Sequence, residues 1–250
     1  MKNTVGSGLT LAQAKLRHNV LSLSILGTGL VSAIIGILAY FGMNMGTFVI
    51  SLEEVAYRIG ISLSEEPQFV SSYPRLLVNP LNNAVPVSFH DIEIDNIIHS
   101  EGNYYDSMGL TYTAYTFYIK NEGNTTVDLN FNINFLKATN GVDSALRILV
   151  IEDETKKTVY LKDDGDDIYI EGTPKNAKID ESEYNLVFFY SDGIPETVIE
   201  DFRPGQIKKY SVVIWLEGWD IQCDDSIKSG QLRLDLNFSV VSSRVDEENQ

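Results

Sequence analysis

Four carboxylates crowd into nine residues near the end of the chain: Glu217, Asp220, Asp224 and Asp225. They follow an apolar run that ends in Trp215, and Gly218 lets the chain bend directly after it. Like charges repel by about 1 kcal/mol per pair at about 4 Å in water, so a neighbouring group must offset the repulsion. Backbone N–H donors, Lys228 or a cation would do so. Carboxylate oxygens are the ligands that calcium prefers, so these four residues are the candidate metal ligands.

A second acidic segment lies at residues 163–167, where four aspartates surround Gly165. It is either a solvated turn or a further calcium-binding loop, although the closing glutamate of an EF-hand is absent.

Groups that would carry catalysis do not form a recognisable set. The three histidines are His18, His90 and His99, and no HExxH zinc helix is present. His90 and Asp91 offer half of a general-base pair. Cys223 lies among aspartates, and nearby negative charge disfavours the reactive thiolate. We therefore predict that the protein is not an enzyme. A pair of carboxylates is the remaining catalytic alternative, because their separation in space is not visible in a sequence.

Charge is distributed unevenly along the 250 residues, whose formal net charge is −16. Only Lys2, Lys15 and Arg17 carry charge before Glu53, so the remainder has 16 basic and 35 acidic side chains. Such an acidic domain is repelled by nucleic acid, which we exclude as a partner. Divalent cations or a basic protein would complement the charge, and solubility through self-repulsion is the simpler interpretation. The single cysteine excludes an internal disulfide.

Residues 20–43 form an apolar segment that is free of charged side chains. As a helix it would span about 36 Å, enough for a hydrocarbon core of about 30 Å. The positive-inside rule predicts that residues 1–19 are cytoplasmic and that residues 44–250 lie outside the cell membrane. The segment either stays as a signal anchor or is cleaved, which would release the domain to the extracellular matrix. Its length and the lack of a good cleavage site favour an anchor.

Two segments of the exported part alternate apolar and polar residues, at 127–135 and at 232–240. This period of two predicts strands with one face in a core and one face in water. Residues 110–120 are rich in Thr and Tyr and are followed by the turn-forming Asn121-Glu122-Gly123-Asn124. We therefore predict that 110–120 and 127–135 form an antiparallel hairpin.

The other elements predict an all-β domain over residues 44–243. Residues 146–162 predict a second hairpin, residues 209–217 a central strand, and residues 86–98 one or two strands. Short strands separated by turns, without a helical pattern between them, predict an antiparallel β-sandwich. The polar tail, residues 244–250, is expected to be disordered.

Several short stretches carry a family resemblance: the charge-free N-terminal helix, Met-Gly-Thr-Phe at 45–48, Asn-Glu-Gly at 121–123, Arg-Pro-Gly at 203–205, and Trp-Leu-Glu-Gly-Trp-Asp at 215–220 followed by Cys223. The chain resembles exported Gram-positive proteins with a SipW-type alternate signal segment, the TasA and camelysin family. The resemblance implies a jelly-roll-like β-sandwich outside the cell. Some members build biofilm matrix fibres by passing a strand between subunits. Camelysin has been described as a metalloprotease, but this sequence has no recognisable zinc site and lacks the usual cleavage site.

The leading functional hypothesis is a non-catalytic surface or matrix protein that acts through protein–protein contacts, including self-association. In a sharper form, residues 47–52 pair with the sheet of a neighbouring subunit by β-augmentation. The alternative is that this strand pairs within its own sandwich. A second hypothesis is a cation- or carbohydrate-binding ectodomain that uses the acidic loops and exposed tyrosines.

Overall fold

The computed structural model describes residues 48–81, 84–106, 109, 111–163, 165, 168–190 and 193–244. The chain divides into two compact units, Met1–Met45 and Gly46–Gln250, and every described residue belongs to the second. The predicted segments 1–19 and 20–43 therefore lie outside the described residues, as do residues 245–250 of the predicted tail. Arg244, the first residue of that tail, is instead the last residue of a strand. Within the described part, no helix is both long and apolar enough to cross a membrane.

Twelve strands dominate the described residues: β1 (Phe48–Leu52), β2 (Ile61–Ser64), β3 (Arg75–Val78), β4 (Gly102–Tyr104), β5 (Tyr112–Asn121), β6 (Thr126–Ala138), β7 (Leu146–Glu152), β8 (Lys156–Lys162), β9 (Asn185–Phe189), β10 (Gly193–Phe202), β11 (Ile207–Leu216) and β12 (Leu232–Arg244). Two short α-helices are α1 (Glu54–Arg58) and α2 (Ile94–Ile98), and 3-10 turns cover Phe89–Asp91, Lys175–Ala177 and Asp225–Ile227. The prediction of an all-β protein is confirmed.

A five-stranded sheet has the order β10-β6-β12-β1-β3. The two segments with clear alternation, β6 and β12, are antiparallel neighbours, and Phe131 lies opposite Phe238. Their apolar side chains point into the core, whereas Asn132, Asn134 and Asn237 lie on the opposite face and are partly exposed, as the period of two requires. β1 is antiparallel to β3 but parallel to β12.

A seven-stranded sheet has the order β2-β5-β11-β7-β8-β9, and β4 also pairs with β5. The pairs are antiparallel except β8 with β9. β7 and β8 form the second predicted hairpin. β11 is a central strand, as its two apolar faces predict, and it lies between β5 and β7.

The main core fills the space between the two sheets. At its centre four aromatic rings from both sheets pack together with centroid separations of 5.6–6.1 Å: Phe117, Phe131, Tyr210 and Phe238. Each of them is buried. Aromatic contacts of this kind bury large apolar areas and fix the distance between the sheets.

A second core covers the outer face of the seven-stranded sheet. Trp215 and Leu149 on the sheet are buried there against Phe89, Ile97 and Tyr184 from the connecting segments. Burial on both faces explains why residues 148–151 of β7 and 212–216 of β11 are apolar without alternation.

Three sequence predictions are wrong. β5 and β6 do not form a hairpin, because the chain crosses from one sheet to the other at the turn between them. The sandwich is not wholly antiparallel, since β1–β12 and β8–β9 are parallel. Residues 86–98 form a 3-10 turn and α2 rather than strands. The apolar residues of this segment pack on the second core, and so short a segment can do so without pairing with a sheet.

Candidate functional site: the acidic corner after β11

The acidic corner comprises residues 217–225, which leave the end of β11 at the rim of the seven-stranded sheet. The chain is fixed at this point by backbone pairing with the segment before the first 3-10 turn. Val87 N donates to Leu216 O at 3.0 Å, and Gly218 N donates to Val87 O at 3.0 Å. The corner therefore ties the cover of the second core to the central strand of the sheet.

Glu217 is fully buried at the start of the corner. Its Oε2 accepts hydrogen bonds from Trp215 Nε1 and Phe89 N, both at 3.1 Å, and its Oε1 accepts from Trp219 N at 3.2 Å. Burial raises the pKa of Glu217, and the three N–H donors and the nearby Arg147 oppose that rise. The net direction is upward. Glu217 thus acts as a buried acceptor that joins the sheet, the cover and the corner.

Asp220 forms a buried ion pair with Arg147 of β7, and the exposed fractions of the two side chains are 4% and 1%. The Arg147 guanidinium also donates to Leu146 O at 3.0 Å and to Ile168 O at 3.4 Å, but its Nε has no hydrogen-bond partner. Asp220 Oδ1 accepts from Gln222 N at 2.7 Å. Nearly all polar atoms of the two side chains have hydrogen-bond partners, and an ion pair persists in a protein interior only under that condition.

The two outer carboxylates of the corner have separate partners. Asp224 Oδ1 accepts from Ser226 N at 2.7 Å and caps the 3-10 turn Asp225–Ile227. Hydrogen bonds from Ser226 lower the pKa of Asp224. Asp225 pairs with Lys228 at 2.7 Å, and both side chains are largely exposed. An exposed pair of this kind stabilises the protein by little.

The structure therefore gives each predicted metal ligand its own partner. Among the described residues, which include Glu217, Asp220, Asp224 and Asp225, no group of three or more His, Cys, Asp or Glu is arranged to hold a metal ion. A calcium ion at this corner stays a prediction, and it would have to displace the N–H donors and Arg147. In the second acidic segment, Gly165 N donates to Asp163 Oδ1 at 3.1 Å, and its other aspartates lie outside the described residues.

The remaining candidates for chemistry are separated from one another. Cys223 is half-buried, and burial together with Asp220 and Glu217 raises the pKa of its thiol to about 11. It is therefore protonated at neutral pH, as expected from the surrounding aspartates. His90 Nδ1 lies 3.2 Å from Asp91 on an exposed surface. His99 Nδ1 contacts the backbone oxygen of Asp95 at 2.6 Å, and His18 lies outside the described residues.

A shallow cleft of about 490 Å³ lies elsewhere, beside α2. Its lining includes Glu93, Asp95, Asn96, Lys157, Glu183 and Tyr184. Lys157 is paired with Glu183 and lies over the Tyr184 ring, with its Nζ at 5.0 Å from the centroid. The protein's own ion pair thus occupies one wall of this cleft.

Two residues that position the corner and the sheets were not predicted from the sequence. Arg147 interrupts an otherwise apolar strand, and this interruption is the signal that would have suggested a buried partner. Asn121 is buried, and its Nδ2 donates to Thr125 O at 2.9 Å and to Phe202 O at 2.8 Å. Its position in a turn motif gave no sign of these distant contacts.

Comparisons with known proteins give no family. No family model matches the sequence, and no curated protein matches it. A crystal structure of β-glucosidase from Kluyveromyces marxianus in complex with glucose aligns with a TM-score of 0.22 and 11% identity, over 75% of this chain and 17% of that chain. This chain thus spans less than a fifth of that enzyme, and a likeness at this level carries no argument about fold or function.

Proposed function

We propose that the protein is a non-catalytic bacterial surface or matrix protein that acts through protein–protein contacts. It is held at the membrane through residues 20–43, or secreted if that segment is removed. In the sharper form of the proposal, subunits join by strand addition, each giving β1 to the sheet of a neighbour. One observation carries this form: β1 occupies an interior position of the five-stranded sheet, between β12 and β3, although it lies at the start of the compact unit Gly46–Gln250.

The contacts of β1 suit a strand that can be donated. All five of its residues pair with β12 and four pair with β3. Phe48, Ile50 and Leu52 supply buried side chains to the main core. A sandwich without β1 would expose two strand edges and an apolar groove, and the same strand from another copy would restore the same contacts. Exchange of an identical element between copies is a low-cost route to assembly.

The order of the strands supports a jelly-roll-like sandwich. β1-β12-β6-β10 face β5-β11-β7-β8, and the chain crosses between the sheets at each step from β5 to β12 except among β7, β8 and β9. This arrangement is the one that interlocked Greek keys produce. β1 departs from it by running parallel to β12. Parallel strands cannot be joined by a tight turn, so no short loop ties β1 to its neighbour β12.

The surroundings of the ionisable groups support a non-catalytic role. Glu217 and Asp220 are each fixed by several partners, which leaves little freedom for proton transfer to a substrate. The Cys223 thiol is protonated at neutral pH.

A carbohydrate-binding function is the second candidate, favoured by the open face of the five-stranded sheet. Partly exposed polar side chains from three adjacent strands lie on this face: Ser51, Asn132, Asn134, Asp235 and Asn237. Amides and hydroxyls of this kind recognise sugar hydroxyls. Loss of binding to an insoluble polysaccharide in the double variant Asn132→Ala, Asn237→Ala, with the fold retained, would support this function.

Strand donation can be tested by disulfide formation between two different chains. Ser51 of β1 lies opposite Asn237 of β12, and Asn237 Nδ2 donates to Ser51 Oγ at 3.1 Å. Full-length Ser51→Cys and Asn237→Cys chains, both with Cys223→Ser, would be co-expressed and exposed to a mild oxidant. If β1 is exchanged, a disulfide links the two chains, because the two cysteines then face each other across the new pair.

The matched control pairs Ser51→Cys with Asn132→Cys, since Asn132 lies one strand beyond Asn237. That position is about 10 Å from β1, too far for a disulfide. A single chain that carries both Ser51→Cys and Asn237→Cys reports pairing within one sandwich. Strand donation is refuted if this intrachain disulfide forms while the mixed chains never cross-link.

A further inference from the structure

β9 ends the seven-stranded sheet, and within the described residues it pairs on one side only, with β8. The segment from Tyr184 to Tyr190 reads YNLVFFY and contains no charged residue and no proline. Phe188 and Tyr190 are 42% and 69% exposed. An uncharged, aromatic strand at the edge of a sheet is a template for pairing with another strand.

Among the described strands only β8 pairs with β9, so some backbone groups of β9 point away from the sheet at this edge. Phe189 O accepts a hydrogen bond from Asp163 N at 2.9 Å, so the backbone groups of Phe189 point towards β8. Backbone direction alternates along a strand, which places the N–H and C=O groups of Leu186 and Phe188 on the outward side.

The other described edges have features that oppose pairing. β10 contains Pro195 and Glu196, and its register with β6 shifts twice. β3 has four residues and is flanked by Pro74, and β4, which pairs only with β5 among the described strands, has three. The outer edge of β2 is bridged by the pairing of Leu63 with Tyr73. Short length, proline, charge and bulges are the usual means of protecting an edge, and β9 has only its short length.

We propose that β9 is a self-association edge, at which two copies of the chain pair antiparallel about a two-fold axis through Val187. In this register Leu186 of each copy lies opposite Phe188 of the other, and Tyr184 lies opposite Tyr190. Every opposed pair from 184 to 190 is uncharged, so the segment is complementary to itself. A partner selected by charge would need charged residues at this edge, and the segment has none.

The hydrogen bonds of this arrangement follow from the backbone directions. Leu186 and Phe188 of opposite copies exchange N–H···O bonds on both sides of the axis. The two Val187 residues form the non-hydrogen-bonded pair, with Cα atoms about 4.5 Å apart. So short an edge buries less than a standard interface, and we expect pairing to be weak in dilute solution and favoured where copies are concentrated. It involves the sheet that does not contain β1, and therefore goes beyond strand donation.

Cysteine cross-linking of the full-length chain in detergent tests both the pairing and its register. In a Cys223→Ser background, Val187→Cys places two cysteines at the axis, within the Cα separation of about 4.4–6.8 Å that a disulfide requires. Asn185→Cys is the register control. In the proposed pairing the two 185 positions are about 13 Å apart, although Asn185 is the more exposed side chain. We expect a disulfide-linked dimer for Val187→Cys and not for Asn185→Cys.

A charge on the edge provides the second arm. Phe188→Lys, added to Val187→Cys, should lower the dimer yield about tenfold, because lysine on an edge strand opposes pairing. Leu136→Lys introduces the same charge at another exposed apolar residue and should leave the yield unchanged. Far-UV circular dichroism and thermal melts establish that each variant is folded. Sedimentation of the wild type and of Phe188→Lys, neither with an added cysteine, measures association without cross-linking. Equal cross-linking at 185 and 187, or no concentration-dependent association in either assay, would overturn the proposal.

Discussion

Gly123 lies where two turns touch, and its replacement by alanine should be severely destabilising. A Cβ atom at Gly123 would lie 2.1 Å from Ile59 O and 3.1 Å from Asn121 Oδ1. Ile59 O belongs to the backbone, so no side-chain rotation relieves the clash. Overpacking of a core commonly costs about 1–3 kcal/mol, and a backbone clash this short places Gly123→Ala at about 3 kcal/mol or above. Urea unfolding followed by tryptophan fluorescence measures this change in the free energy of unfolding.

Gly205→Ala is the control for loss of glycine without a clash. Gly205 has a φ of +79°, and a Cβ atom there would meet no atom within 4 Å. Its substitution should therefore cost only the left-handed backbone penalty, about 1–2 kcal/mol. If Gly123→Ala is no more destabilising than Gly205→Ala, the close approach of the two turns does not exist in solution and the argument fails.

Three further predictions concern the core and the corner. Phe131→Ala and Phe238→Ala should each lower the free energy of unfolding by about 3–5 kcal/mol. The double variant should lose less than the sum, because the two ring centroids are 5.8 Å apart. Asn132→Ala, on the open face, should cost under about 1 kcal/mol in the same unfolding assay. Burial raises the pKa of Glu217, so the stability of the wild type relative to Glu217→Gln should depend on pH. The difference in the free energy of unfolding should be greatest below the ordinary glutamate pKa and should fall as pH rises through the raised value. A flat or rising difference would show that Glu217 is held as the charged form. Thermal melts in millimolar calcium and in chelator should coincide, whereas a rise in calcium that Asp220→Asn abolishes would establish the cation site.

The alternating segments were predictable because burial of one face leaves a direct mark on the sequence. β6 and β12 carry that mark, and their positions are as predicted. Alternation says which residues are buried but not which strand is the neighbour. β5 and β6 are adjacent in sequence, yet β6 pairs with β10 and β12. The nine-residue pattern could not show this, because a turn between two strands can close a hairpin or cross between sheets.

The corner was predictable in its position and not in its contacts. Trp215 and Gly218 marked the end of a central strand, and the crowded carboxylates after it required partners. The partner of Asp220 is Arg147, which lies 73 positions earlier in the sequence. The partners of Glu217 include Phe89 N, which is 128 positions away. Contacts over such separations depend on the sheet topology, and no local pattern encodes them.

Three of the short motifs behind the family resemblance lie at turns and corners of the fold. Asn-Glu-Gly at 121–123 and Arg-Pro-Gly at 203–205 meet at one joint, where Gly205 N donates to Asn121 O at 2.7 Å. Trp-Leu-Glu-Gly-Trp-Asp at 215–220 forms the buried start of the acidic corner. Turns and buried corners of this kind fix the ends of strands. Association by strand pairing needs an exposed strand edge or an exchangeable strand, and β9 and β1 are the candidates for these in separate sheets.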